Sequence, residues 1–132
     1  MIIMHRLPYL GTITAGRSAP LDYWPIVRFE DVHLLKPPKH GEQLAICRVV
    51  GDSLKADGIL DGDQVIFRLT SEARPGDLVI AHTPFGATLK YYWPTTNGVW
   101  LRGASGGKYD QLWTPEDVRV QGVVTETRRV LR

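Results

Sequence analysis

The sequence has a single cysteine, Cys47, so no disulfide can close within one chain, and a reducing compartment is the expectation. Cys47 sits in the apolar run Leu44-Ala45-Ile46-Cys47-Arg48-Val49-Val50 and reads as a small core residue rather than a reactive thiol. His5, His33, His40 and His82 show no ligand spacing with one another or with Cys47, so neither a metal nor another cofactor is expected. No apolar stretch approaches the ~20 residues that cross a bilayer. Met1-Ile2-Ile3-Met4-His5-Arg6 also lacks the charged-then-apolar order of a signal peptide. The expectation is a soluble, cytoplasmic protein with no membrane contact. An excess of charge is missing too: 16 basic and 14 acidic residues leave a net +2, without the basic stripe typical of nucleic-acid-binding domains. No amphipathic helix longer than a couple of turns is apparent, hence no helix-turn-helix and no evident means of direct DNA binding. The densest basic run, Arg128-Arg129 with Arg132, reads as a solvated strand end or tail, with a partner contact as the alternative.

What is present suits one β-rich domain. A chain of 132 residues is of single-domain length, and one of this size buries roughly 65–70% of its unfolded surface, enough for stability without a disulfide or a metal. Thirteen glycines and nine prolines divide it into short elements. Leu7 to Gly16 gives at most a short strand ending in small residues, and Arg17 to Pro25 reads as an extended connector. From Gln43 onward the pattern sharpens. Leu44–Val50 has the composition of a buried strand. Asp61-Gly62-Asp63 and Pro75-Gly76-Asp77 are turn signals that introduce the strands Gln64–Phe67 and Leu78–Ala81. Further strands are expected at Ala87–Trp93, Val99–Arg102 and Val118–Thr127, with a loop over Gly103–Lys108 and a helical turn within Lys55–Leu60. Short strands about ten residues apart predict a mainly β barrel or folded sheet with only short helical turns.

Two residues stand out chemically. Ser53 follows Gly51-Asp52 at the abrupt end of an apolar strand, where a hydroxyl is exposed and neighbouring N–H groups can face a carbonyl oxygen. Gly-Asp-Ser also occurs in ordinary turns. A serine needs a base to become a nucleophile, and Lys90, at the centre of the strand Ala87–Trp93, offers one. Burial among apolar and aromatic neighbours lowers the proton affinity of a lysine, and Thr88, on the same face by the period of two, can accept a hydrogen bond and orient the amine. A lysine snorkelling from an exposed edge strand is the plainer alternative.

Val49-Val50-Gly51-Asp52-Ser53-Leu54, then Gly58-Ile59-Leu60-Asp61-Gly62-Asp63, Gly76–Ala81 and Ala87-Thr88-Leu89-Lys90 together resemble the self-cleaving serine peptidases of the LexA and UmuD type (the S24 peptidase family). Val120-Gln121-Gly122-Val123-Val124-Thr125 is similar to the family's last core strand. The resemblance implies a LexA-like folded β-sheet, with Ser53 as nucleophile and Lys90, 37 positions later, as general base. Asp52 and Thr88 take supporting places. It implies a scissile bond between a small residue and glycine upstream of the serine, a place held here by Ala15-Gly16. Leu54 departs from the family's usual methionine at little cost in volume. The implied division is an arm carrying the cleavage site, residues 1–25, and a peptidase domain, residues 26–132.

The resemblance further implies a homodimer, a RecA–single-stranded-DNA filament as activator and a place in the SOS response to DNA damage. Only 15 residues precede the candidate bond, which favours a UmuD-like regulator of a translesion DNA polymerase. The alternatives are the C-terminal peptidase and dimerisation domain of a LexA-like repressor, and a non-catalytic dimerisation module. A signal-peptidase-like enzyme would share the serine–lysine pair but calls for a membrane anchor.

Overall fold

The computed structural model describes residues 3–13 and 21–131. Nine strands form one mixed sheet: β1 (Met4–Ile13), β2 (Arg28–His33), β3 (Leu44–Val49), β4 (Gln64–Leu69), β5 (Leu78–Thr83), β6 (Gly86–Thr95), β7 (Gly98–Arg102), β8 (Gln111–Trp113) and β9 (Arg119–Arg128). Their order across the sheet is β2-β1-β3-β4-β9-β5-β6-β7-β8, with β1 parallel to β3 and the other neighbours antiparallel. Three short 3-10 turns, Leu21–Tyr23, Lys55–Asp57 and Pro115–Asp117, are the only helical elements among the described residues. The expected mainly β folded sheet is the architecture observed.

Period-two alternation distributes the side chains of the central strands between separate cores. Ala45, Cys47 and Val49 of β3, with Val65 and Phe67 of β4, enter the main cluster, whereas Ile46 and Ile66 join Leu7, Tyr9 and Val32 on the other face. On β5, Ile80 enters the main cluster while Val79 and Ala81 pack with Val99, Leu101 and Val123. The main cluster also draws on Leu10 and Ile13 of β1 and on Ala87 and Leu89 of β6. Strands that far apart in the order share a core only because the sheet bends over on itself. Burial on both faces explains why these strands read as continuous apolar runs.

β1 is longer than the short strand expected, and its face changes partway. Leu7 and Tyr9 point into one core, Leu10 and Ile13 into the other. A three-residue step would place Leu10 and Ile13 on opposite faces of a regular strand. The register shift between Tyr9 and Thr12, at Gly11 with φ of 97°, realigns them. Ile13 then pairs with Val49 at the end of β3. The chain re-enters the same core at Leu21, whose amide donates to Gln121 Oε1 at 2.8 Å, and at Trp24.

Candidate active site

The segment leaving β3 is pinned before it reaches Ser53. The Gly51 amide, at φ of 101°, donates to Asp61 Oδ1 at 2.9 Å. The Val49 amide donates to the Asp63 carbonyl at 2.7 Å, and the Gly62 amide to the Val49 carbonyl at 2.8 Å. Asp63 is 4% exposed. Its Oδ2 accepts the Leu60 amide at 2.8 Å, and Arg129 grips both carboxylate oxygens at 2.7 and 2.8 Å while donating to the Gly58 carbonyl at 2.9 Å. These charge-assisted bonds from Arg129, outweighing burial, hold the Asp63 carboxyl below its ordinary range. Arg129 is exposed just past the end of β9, as expected of a solvated strand end, yet its guanidinium is tied into the fold. It closes the turn that follows the candidate nucleophile, and Arg128 forms an ion pair with Glu30 at 3.6 Å.

Ser53 lies between this brace and the 3-10 turn Lys55–Asp57. Leu54, 2% exposed, anchors the turn in the main core. The Lys55 amide bonds the Asp52 carbonyl at 3.1 Å; the Asp52 side chain itself is exposed. Ser53 is half-buried.

Lys90 occupies the middle of β6, opposite Val79 of β5. The flanking Leu89 is buried in the main core, and the half-buried Lys90 Nζ donates to Thr88 Oγ1 at 3.1 Å and to the Leu89 carbonyl at 3.3 Å. Burial lowers the proton affinity of the amine, and the charge of Asp110 partly offsets that effect. Ser53 and Lys90 line one small cleft of about 100 Å³ together with Ile13, Leu54, Thr88 and Leu89. A hydroxyl and a partly desolvated amine in one small cleft are suited to general-base-assisted nucleophilic attack. Ala15 and Gly16 lie outside the described residues. Among the described residues there is no cluster of His, Cys, Asp and Glu fit to hold a metal, and no helix is long and apolar enough to cross a membrane.

Three contributors to the site escape sequence reasoning. The Tyr91 hydroxyl donates to Asp57, tying the strand of Lys90 to the turn after Ser53. Burial first, then this hydrogen bond, push the Tyr91 phenol up to about 12. The loop after β7 touches Ser53 directly: the Ala104 amide donates to the Ser53 carbonyl at 2.7 Å. Gly103 packs so closely that a Cβ there would lie 2.7 Å from that carbonyl oxygen. The sequence marks Gly103–Lys108 as a loop, but no spacing rule says against what the loop packs. Arg129 is the third, hidden by its place in a terminal basic run.

Known proteins resemble the chain over most of its length. The model of the Peptidase S24-like family matches residues 8–125. A LexA repressor of Lacticaseibacillus casei is 32% identical over 131 residues, 95% of this chain and 59% of that protein. A LexA repressor of Syntrophotalea carbinolica is 32% identical over 129 residues, 96% and 61% respectively. A third, from Moorella thermoacetica, reaches 38% over 94 residues, 68% of this chain and 42% of the relative. The chain thus spans about three-fifths of the length of the first two. With a matched region that runs from β1 to β9 and takes in Ser53, Lys90 and the loop against them, the chain belongs to the Peptidase S24-like family.

Proposed function

We propose that this protein is a self-cleaving serine peptidase that cuts its own chain between Ala15 and Gly16 with Ser53 as nucleophile and Lys90 as general base. The observation that carries this reading is the cleft shared by Ser53 and Lys90, in which the lysine amine is oriented by Thr88 and loosened from its proton by burial. The neutral Lys90 amine takes the Ser53 hydroxyl proton as Oγ attacks the Ala15 carbonyl carbon. Backbone N–H groups at the Ser53 turn receive the developing oxyanion. Collapse breaks the peptide bond, and Lys90 passes the proton to the departing Gly16 nitrogen. Water, deprotonated by Lys90, then hydrolyses the Ser53–Ala15 ester, leaving a carboxylate on Ala15 and restoring the serine. Small residues at both sides of the bond suit a tethered chain that must come close to the nucleophile.

Chain connectivity supports the assignment of the bond. Ile13 lines the cleft, and Ala15 follows two residues later, a reach of at most about 7 Å. Both flanks of the intervening segment, Ile13 and Leu21, are anchored in the main core. The relatives are repressors by name, which favours a LexA-like repressor's peptidase and dimerisation portion over a UmuD-like regulator of a translesion polymerase. Homodimer formation, activation by a RecA–single-stranded-DNA filament and a part in the SOS response come with this reading.

The test is intact mass over hours at pH ~9–10, where a lysine approaches neutrality, for the wild type, Ser53→Ala and Lys90→Ala. A new species beginning at Gly16 in the wild type alone supports the assignment. A wild type that stays whole there, and also with an activated RecA filament, would make the protein a dimerisation module.

A further inference from the structure

Resting on the dyad just proposed, one more residue enters the account. Asp110 lies at the end of the loop between β7 and β8, half-buried, and was not singled out by any motif. Its Oδ1 accepts the Gly103 amide at 3.0 Å, and its own amide donates to the Gly107 carbonyl at 3.2 Å. The carboxylate therefore closes residues 103–110 into a ring at the point where Gly103 abuts Ser53 and the Ala104 amide donates to the Ser53 carbonyl at 2.7 Å. Ser53, which Gly103 abuts, lines the same cleft as Lys90, and Arg102, next to Gly103, pairs with Tyr91, next to Lys90; the Asp110 charge favours the protonated amine.

We propose that Asp110 is a positioning residue for both members of the dyad: it fastens the 103–110 loop onto the Ser53 carbonyl and sets a negative charge near the cleft that Lys90 lines. The surrounding charges make the second role specific. The turn after Ser53 carries Lys55 and Asp57, the latter engaged by the Tyr91 hydroxyl. Exposed Asp52 sits on the same segment, Arg102 precedes the loop and exposed Lys108 lies within it. Asp110 differs from these in being fixed by its hydrogen bond to Gly103, which packs against Ser53 at the cleft that Lys90 also lines. Opposite charge favours the protonated amine, so Asp110 works against the burial that prepares Lys90 as a base. It thereby acts as a brake at neutral pH, while its hydrogen bond keeps the serine in place.

The two roles separate by substitution. Asp110→Asn keeps an oxygen acceptor for Gly103 and removes the charge; Asp110→Ala removes both. The Lys90 titration is followed by the 13Cε resonance in the Ser53→Ala protein, which cannot use Ser53 to cleave, and Ala104 amide exchange is measured beside it. Adding Asp110→Asn is expected to shift the Lys90 midpoint to lower pH with Ala104 still protected. Asp110→Ala is expected to shift the midpoint likewise and to lose the Ala104 protection. In the Ser53 protein, Asp110→Asn is expected to move the rising limb of the cleavage pH profile to lower pH, whereas Asp110→Ala lowers the rate at every pH. A Lys90 midpoint unmoved by either substitution, or Ala104 protection that survives Asp110→Ala, overturns the proposal. Because both readouts precede cleavage, that failure is distinct from a failure of the dyad itself, which shows as a wild type that never cuts.

Discussion

Replacing Gly103 by alanine puts one methyl group against the wall that holds the nucleophile. The added Cβ would lie 2.7 Å from the Ser53 carbonyl oxygen, 3.0 Å from Tyr109 Cβ and 3.5 Å from Ser53 Cβ. Carbon atoms rest comfortably at about 3.5 Å or beyond, so Tyr109 must give by about half an ångström and the Ser53 backbone by a comparable amount. Neither obstacle is the far end of a flexible side chain. Overpacking of this kind costs about 1–3 kcal/mol, which for a chain of this length is a fall in Tm of roughly 3–5 °C per kcal/mol. The catalytic effect is larger in proportion. A misplacement of ~1 Å can cost ~100-fold in rate, so half of that should cost about tenfold. The assay is intact mass at alkaline pH, with the rate expressed per folded molecule and Tm measured in parallel. Gly41→Ala is the control: its φ of 78° makes the substitution strained, but nothing lies within 4 Å of the new methyl group. Gly41→Ala should lower Tm and leave the cleavage rate unchanged. A Gly103→Ala protein that melts and cleaves like the wild type would refute the close packing of the loop on Ser53.

Other substitutions probe the brace and the core. Asp63 has its folded pKa held below the unfolded value of ~3.9. Its contribution is therefore present above the unfolded value and lost as pH falls through the folded one. Asp63→Asn should lower Tm at neutral pH and flatten the acid limb below about pH 4, measured as Tm against pH. Lys90 also has a lowered folded pKa, but here burial of the charge is the cause. The resulting penalty is complete below the folded value and vanishes as pH rises past the unfolded value of ~10.4. Lys90→Met should raise Tm at neutral pH and remove the alkaline rise in stability, while abolishing cleavage. Gly122→Ala would bring a Cβ within 2.5 Å of Phe67 Cδ2 and 3.2 Å of the Arg68 carbonyl. It should cost about 1–3 kcal/mol, and a denaturation double-mutant cycle with Phe67→Leu should recover part of it.

The strands β3, β4, β5 and β6 are legible because apolar runs such as Leu44–Val49 and Leu78–Ala81 stand between turn signals whose chemistry is explicit. Asp61-Gly62-Asp63 is the best case, since each aspartate side chain takes a backbone amide, Gly51 for Asp61 and Leu60 for Asp63. β2 is hidden: Arg28, Glu30, Asp31 and His33 leave Phe29 and Val32 as its apolar residues, and its pairing with β1 is a long-range event. β8, with three residues, is too short to show a period. The length of β1 is masked by Gly11, whose bulge breaks the alternation that sequence reading depends on. Cys47 behaves as its apolar surroundings indicate, wholly buried in the main core. Ser53 and Lys90 were readable as a pair through the resemblance of their motifs and spacing to the S24 peptidase family, because Gly-Asp-Ser alone also occurs in ordinary turns and a strand lysine also suits an exposed edge. The packing of Gly103 on Ser53, the Tyr91–Asp57 tie and the Arg129 grip join residues 34 to 71 positions apart. Contacts of that separation leave no local trace in composition or periodicity.

The most direct test of the Ser53–Lys90 assignment is the pH–rate profile of self-cleavage, set against the titration of Lys90 in the Ser53→Ala protein. If neutral Lys90 is the base, the rate climbs about tenfold per pH unit and levels off at the pH where the Lys90 resonance completes its shift. A rate indifferent to pH, a plateau displaced from the Lys90 midpoint, or cleavage that persists in Lys90→Ala would contradict it.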